Sequence, residues 1–329
     1  MEPLRIGILG AARIAPVAVV KPAAVLPEAT VVAVAARDRN QAEKFARKHH
    51  IPVVHDSYAA LLDDPTVDAV YNPLPNGLHG RWTLAAIGAG KHVLCEKPFA
   101  ANAREAEELA AIADASGLVV MEAFHYRYHP LAELMRSLVD EGAVGHVERI
   151  ETRFVVPYFK PGDIRFDLAL AGGSLMDLGC YAVHQARLVS EGEPKVVAAR
   201  AKLKSAGIDR WIQADLRWPN GSTGLVTAGL YSFGRPMIDV RVKGDLGMLK
   251  VFNPARPQQF NRVTLKNHDG TKHERVEGES TYMYQLRAFV EAVRNGGPVL
   301  TPPSDAVKTM AVIDAIYVAA GMLPRAPTP

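Results

Sequence analysis

Two short stretches hold residue types that can do chemistry. The first is HVLCEKPFA, residues 92–100, where Glu96, Lys97 and Pro98 follow an apolar run ending at Cys95. Asn102-x-x-Glu105, just beyond, forms a helix capping box, so this trio occupies the loop between a strand's carboxyl end and a helix. Ligands of open α/β sheets bind at that edge, and Pro98 limits where the lysine backbone can go. The plainer alternative is a strand ending at the surface. The second stretch is GGSLMDLGCYAVH, residues 172–184. Ser174 is a good N-cap and Asp177 lies three residues on, itself a capping signature. Tyr181 is four residues after Asp177 and His184 three after that, so all three share one helical stripe. Capping alone would explain Asp177, a core position Tyr181, and a helix face without a ligand His184; the chemical alternative is an acid–base set.

A third stretch, GILGAARIA, follows the first apolar run and opens a helix. Against the dinucleotide fingerprint it is Gly10-Ala11-Ala12-Arg13-Ile14-Ala15, with Gly10 making the tight turn and Ala15 serving helix–strand packing. Ala12 replaces the second glycine, where backbone approaches the pyrophosphate. At the end of the second apolar run, Ala36 stands where an NAD site places a carboxylate for the ribose 2′-hydroxyl. Arg37 is next and can fork onto a 2′-phosphate. Asp38 is a rival for the carboxylate role, but Asp38-x-x-Gln41 is also a capping box. The pattern favours NADP, with NAD as the alternative.

Elements that would position these residues follow from periodicity. Apolar runs at 4–9, 30–36, 68–75, 92–96 and 118–123 alternate with helical segments. Runs apolar on both faces and separated by helices predict a doubly wound parallel sheet. After residue 123 the pattern changes. Helical segments at 130–142 and 174–191 flank the strand VERIETRFVV. A series of strands then follows without intervening helices, from KVVAARAKL to FNRVTLKN, predicting a large, mainly antiparallel sheet. Helices over about 280–295 and 304–320 close the chain, and the tail PRAPTP is expected to fray. The division is 1–123, a Rossmann domain, and 124–329, an α/β domain with an open sheet.

The composition of the 329 residues, 48% hydrophobic and 22% charged with net charge +3, is that of a globular protein. No basic run or aromatic–basic platform points to nucleic acid. No apolar run approaches the roughly 18–20 residues of a membrane span. The start, MEPLRIGILG, lacks the features of a signal peptide. Two cysteines, Cys95 and Cys180, suggest a reducing compartment, and the expected location is the cytoplasm. The histidines are scattered and form no metal-ligand cluster.

With these motifs in hand, the chain resembles the Gfo/Idh/MocA oxidoreductase family, in its glucose-fructose oxidoreductase branch. AGKHVLCEKPFA matches the family's central motif, which implies a catalytic Lys97 with Glu96 beside the cofactor. NPLPNGLHGRW resembles its nicotinamide-side loop, implying Leu74, Asn76 and His79 near the cofactor, as the loop residues Gly10, Ala12, Arg13 and Ile14 are. EAFHYRYHP resembles the segment entering the second domain, and His125, Arg127 and His184 are candidates to hold substrate hydroxyls. Tyr181 matches the branch that acts on sugars and dihydrodiols; many relatives carry histidine there. The resemblance implies hydride transfer between a nicotinamide and a hydroxyl or carbonyl of a sugar or cyclic polyol, a D-xylose-type aldose or a trans-dihydrodiol. Tyr181 would accept the proton, Lys97 would lower its pKa from the ordinary value of about 10, and Asp177 would orient the lysine or a substrate hydroxyl. Alternatives are a sugar-nucleotide keto-reductase on the same scaffold and a non-catalytic NADP-binding regulator. The resemblance implies a homodimer through the open sheet, whose apolar face carries Ile150, Phe154 and Val156; the alternative is that this face covers the domain's own helices.

Overall fold

Short strands buried on both faces build the first sheet. In the computed structural model, which describes residues 2–158, 160, 162–230 and 236–329, these are β1 (Leu4–Leu9), β2 (Ala29–Ala35), β3 (Val53–His55), β4 (Ala69–Asn72), β5 (His92–Cys95) and β6 (Val120–Glu122). They lie parallel in the order β3-β2-β1-β4-β5-β6, so the chain reverses direction across the sheet between β1 and β4. Ile8, Leu9, Val70, Tyr71 and Val93 are fully buried, which is why these strands show no alternation. β1 leads into a π turn, Pro16–Val20, that continues as α1 (Lys21–Ala23); α2 (Arg39–His49), α3 (Tyr58–Leu62), α4 (His79–Gly88) and α5 (Ala103–Ser116) make the other crossovers. Helix α5 buries Ala106, Leu109, Ala110 and Ala113, a single stripe at helical spacing. Its start is as the sequence predicts: Asn102 accepts from the Glu105 amide at 2.9 Å, while Glu105 reaches back to the Ala101 amide at 2.7 Å. The sequence shows five of these six strands. β3 is only three residues long at the sheet edge, with Val53 exposed, so its pattern is too short to register.

The second sheet has eight strands: β7 (Val147–Val155), β8 (Lys195–Ser205), β9 (Ile208–Arg217), β10 (Thr223–Gly229), β11 (Met237–Gly244), β12 (Met248–Phe252), β13 (Arg262–Asn267) and β14 (Gly270–Glu274). Their order is β14-β13-β12-β11-β7-β10-β9-β8. All neighbours are antiparallel except β7 with β10. Helices α6 (Pro130–Asp140), α7 (Cys180–Leu188), α8 (Thr281–Asn295) and α9 (Pro303–Ala319) complete the chain, α7 being preceded by a π turn over Leu175–Gly179. On β7, Ile150, Thr152 and Phe154 are buried, and the Thr152 hydroxyl donates to the Ala182 carbonyl of α7 at 2.8 Å. The face expected to join two copies therefore covers this unit's own helix. The opposite face carries Arg149, Glu151 and Arg153, paired within the sheet as Arg149–Glu151 at 2.7 Å and Arg153–Asp239 at 2.5 Å.

The chain divides into two compact units. The first runs to His125 and takes in 282–307, and the second comprises 126–281 and 308–328. Segment 282–307 is tied to the parallel sheet through Thr301, whose hydroxyl donates to the Glu122 carbonyl at 2.7 Å and whose own carbonyl accepts the Glu122 amide at 3.0 Å. The tail does not fray at its centre: Arg325 is 3% exposed. Its guanidinium donates to the Gly172 carbonyl at 2.7 Å and to Asp209 on β9 at 2.8 Å, and lies over the Tyr317 ring. A buried carboxylate needs a partner, and the tail supplies it.

Candidate active site

In the first unit the candidate residues gather at the carboxyl edge of β1, β4 and β5. Gly10 has φ of +101°, and a Cβ there would stand 3.1 Å from Leu74 Cδ2; only glycine suits this turn. Ala12, half-buried, donates its amide to the Gly10 carbonyl at 2.8 Å, so the loop closes on itself without the second glycine. Arg13 is exposed and Ile14 half-buried on the following turn. Asp38 caps α2, accepting from the Asn40 and Gln41 amides at 2.9 and 3.4 Å. Capping thus accounts for Asp38 Oδ1, and Arg37, exposed, is the neighbouring charge at the end of β2. Tyr58 was not singled out from the sequence. Its hydroxyl bonds to the Arg37 backbone and burial raises its pKa; its ring stands edge-on to Trp82 at 4.8 Å. A glycine-only turn and an exposed guanidinium fit a dinucleotide bearing a 2′-phosphate.

The Lys97 loop is held from several sides. Tyr71 donates to Glu96 Oε1 at 2.7 Å, the Lys97 amide donates to Glu96 Oε2 at 3.3 Å, and the Phe99 amide to Glu122 at 2.8 Å. The Lys97–Pro98 peptide is cis. His79 is 1% exposed, with Nδ1 at 2.7 Å from the Pro98 carbonyl and Nε2 at 2.6 Å from the Leu74 carbonyl. Both ring nitrogens thus face backbone, and the histidine braces the two loops against each other instead of presenting a nitrogen outward. Burial pushes its pKa down to about 4, with the two carbonyls pulling the other way. Asn72 was likewise unforeseen: its amide donates to the His79 carbonyl at 3.1 Å and accepts the Leu74 amide at 3.4 Å. Asn76 is half-buried at the start of the turn before α4, and Lys97 is half-buried.

In the second unit Ser174, Asp177, Tyr181 and His184 sit on the π turn and α7. Ser174 does not cap this helix. Its hydroxyl donates to Asp209 Oδ2 at 2.7 Å, and the same oxygen accepts the Leu175 amide at 2.8 Å. The cap therefore comes from β9, far away in sequence, and Asp177 is not needed for it. Asp177 instead accepts from Arg165 Nε at 2.7 Å, a residue that the sequence reading did not select. Tyr181 is 6% exposed between Tyr126, 5.9 Å away ring to ring, and Phe154 at 5.4 Å. His184 is buried, its Nδ1 bonded to the Tyr126 hydroxyl. Arg127 is 7% exposed, with Nη1 3.8 Å from Glu133 and no hydrogen-bond partner on that nitrogen among the described residues. His125, in the first unit, is buried, its ring tilted against that of Tyr282 with the centroids 4.2 Å apart. Among the described residues no group of three or more His, Cys, Asp or Glu could hold a metal ion, and no helix is long and apolar enough to cross a membrane.

The chain is similar over nearly its whole length to proteins of known kind. It is 37% identical to a D-xylose 1-dehydrogenase (NADP(+)) of Haloferax volcanii, covering 94% of this chain and 95% of that one. It is 36% identical to a trans-1,2-dihydrobenzene-1,2-diol dehydrogenase of Sus scrofa over 69% and 68% of the two chains. Among solved structures it superposes with a TM-score of 0.89, at 29% identity and 96% and 98% coverage, on a 3-ketoreductase from Actinomadura kijaniata in complex with NADP and TDP-benzene. Residues 4–124 match the profile described as an oxidoreductase family with an NAD-binding Rossmann fold, and residues 132–250 match the Gfo/Idh/MocA C-terminal domain. On these matches, together with the EKP loop at the edge of its parallel sheet, the chain belongs to the Gfo/Idh/MocA oxidoreductase family.

Proposed function

We propose that this protein is an NADP-dependent dehydrogenase acting on a CH–OH group of a sugar or related cyclic polyol, in the manner of a D-xylose-type or dihydrodiol dehydrogenase. The observation that carries the reading is the braced Lys97 loop beside the Gly10–Leu74 cradle, in a chain whose relatives include an NADP(+)-dependent dehydrogenase and a ketoreductase solved with NADP bound. Gly10, Ala12, Arg13 and Ile14 would hold the diphosphate and Arg37 the 2′-phosphate. Leu74, Asn76 and Glu96 would border the nicotinamide, and His79 would act through the loop it braces.

When bound, the cofactor takes up or returns the hydride. The hydroxyl proton leaves the same carbon's oxygen, and Tyr181 accepts it. Lys97 supplies the positive charge that makes a phenol a usable base near neutrality and polarises the substrate oxygen. Asp177 orients a substrate hydroxyl, with Arg127, His125 and His184 supporting the substrate. The 3-ketoreductase similarity favours a second reading, reduction of a keto group on a sugar nucleotide, which uses the same residues in reverse.

Two variants test the assignment after a substrate is found by following reduced-nicotinamide absorbance across sugars, dihydrodiols and sugar nucleotides. Lys97→Met and Tyr181→Phe should each lower turnover by about 10²–10⁴-fold, and the double variant should be scarcely worse than the worse single one. NADP affinity should change far less. Near-wild-type turnover in Lys97→Met would sink the reading. Both cysteines are free and buried, which suits a reducing compartment, and the cytoplasm is the location proposed. A homodimer formed through the outer face of the eight-stranded sheet is part of the same proposal.

A further inference from the structure

Between β7 and the π turn the chain runs through a strap whose described part includes Tyr158, Asp163 and Arg165. Asp163 opens a short 3-10 turn, Ile164–Phe166, by accepting the Arg165 amide at 3.1 Å, and it also accepts the Tyr158 hydroxyl. Arg165 Nη1 donates to Asp163 Oδ1 at 3.0 Å and to the Tyr158 oxygen at 3.2 Å, and the guanidinium lies 5.1 Å over the Tyr158 ring. Its Nε is then directed to Asp177 Oδ2 at 2.7 Å. The backbone is tied as well: the Arg165 carbonyl accepts the Gly173 amide at 2.8 Å. A Cβ on Gly172 would stand 2.7 Å from the Arg165 and Asp167 carbonyls, so only glycine allows this approach. Arg165 is thus fixed at both ends to the segment that carries Asp177. The two carboxylates are sheltered, with the Asp163 side chain 1% exposed and that of Asp177 15%, while the Arg165 side chain is 33% exposed. A planar guanidinium can bond two carboxylates in fixed directions, which an ammonium cannot.

We infer that Arg165 is a positioning residue of the reaction, holding the Asp177 carboxylate in one orientation from the strap. The inference rests on the role given above to Asp177. It is tested with Arg165→Met, Arg165→Lys, Arg165→Ala, Asp177→Asn and the Arg165→Met/Asp177→Asn pair, measuring kcat, KM and NADP affinity. Arg165→Met should lose about ten- to a hundredfold in kcat, the range of one charge-assisted hydrogen bond, with NADP affinity changed by about twofold at most. Arg165→Lys should recover part of the loss, and added guanidinium ion should raise turnover of Arg165→Ala but not of the wild type. The double variant should be no slower than Asp177→Asn alone. Wild-type kcat in both Arg165→Met and Arg165→Lys, with Asp177→Asn impaired, would overturn the inference and leave the reading of the site intact. Wild-type kcat in Asp177→Asn would overturn both. Should Arg165→Met fail to fold by circular dichroism, Arg165→Lys decides: lowered kcat with unchanged NADP affinity supports the inference, and wild-type kcat refutes it.

Discussion

Arg37 and Asp38 stand side by side at the end of β2 and carry opposite messages about the cofactor. Asp38 Oδ1 serves the α2 N-terminus, where it satisfies amides that would otherwise lack partners. Arg37 is exposed, and its guanidinium has no such capping duty. Arg37→Ala should therefore weaken NADP binding by roughly 1.5–3 kcal/mol, about ten- to a hundredfold, and leave NAD binding nearly unchanged. Fluorescence titration with both cofactors checks this, and equal losses for the two would remove Arg37 from the site. Asp177 teaches a complementary lesson. Its spacing from Ser174 matches a capping signature, yet neither residue caps the helix, because Asp209 from another element does so.

At the scale of elements, helix α7 and the turn before it are held from outside their own sequence. Asp209 on β9 caps it, and Arg325 from the tail balances that carboxylate, which is fully buried; burial raises the Asp209 pKa while Arg325 pulls it down. Gly173, at φ +131°, leaves no room for a side chain beside Asp209 Oδ1 and Arg325. Removing one partner of a buried pair strands the other charge and costs about 3–5 kcal/mol. Arg325→Met should accordingly lower the Tm markedly, and Arg325→Met combined with Asp209→Asn should recover part of the loss, since it removes both charges. Calorimetry distinguishes this from a frayed tail, for which Arg325→Met would leave the Tm unchanged. The strap has a similar electrostatic basis: burial opposes ionisation of Asp163, but Tyr158 and Arg165 outweigh it and hold the carboxyl at about 2, so it stays charged at neutral pH.

At the scale of the whole molecule, the outer face of the eight-stranded sheet bears the dimer proposal. Met248, Phe252 and Phe260 are exposed on or beside β12, among the ion pairs of β7 and β11, and exposed apolar side chains on a broad sheet suit association with a second copy. Light scattering at micromolar concentration should give twice the chain mass, and Met248→Asp with Phe252→Asp should halve it; a monomeric wild type would refute the proposal. Much of the architecture was legible without coordinates. Parallel strands buried on both faces, helices spaced between them, the switch to helix-free strands and the EKP loop at a strand's carboxyl end all follow from local pattern, because periodicity and capping are properties of neighbouring residues. Glycine at position 10 and the cap at Asp38 are of the same kind. Asp209 reaching Ser174 and Arg325 reaching Asp209 span 35 and 116 residues, and His79 bracing Pro98 and Arg165 holding Asp177 join separate loops. Such pairings leave no local signature, since what selects them is the need of a buried polar group for a partner, and only the tertiary fold decides which partner arrives.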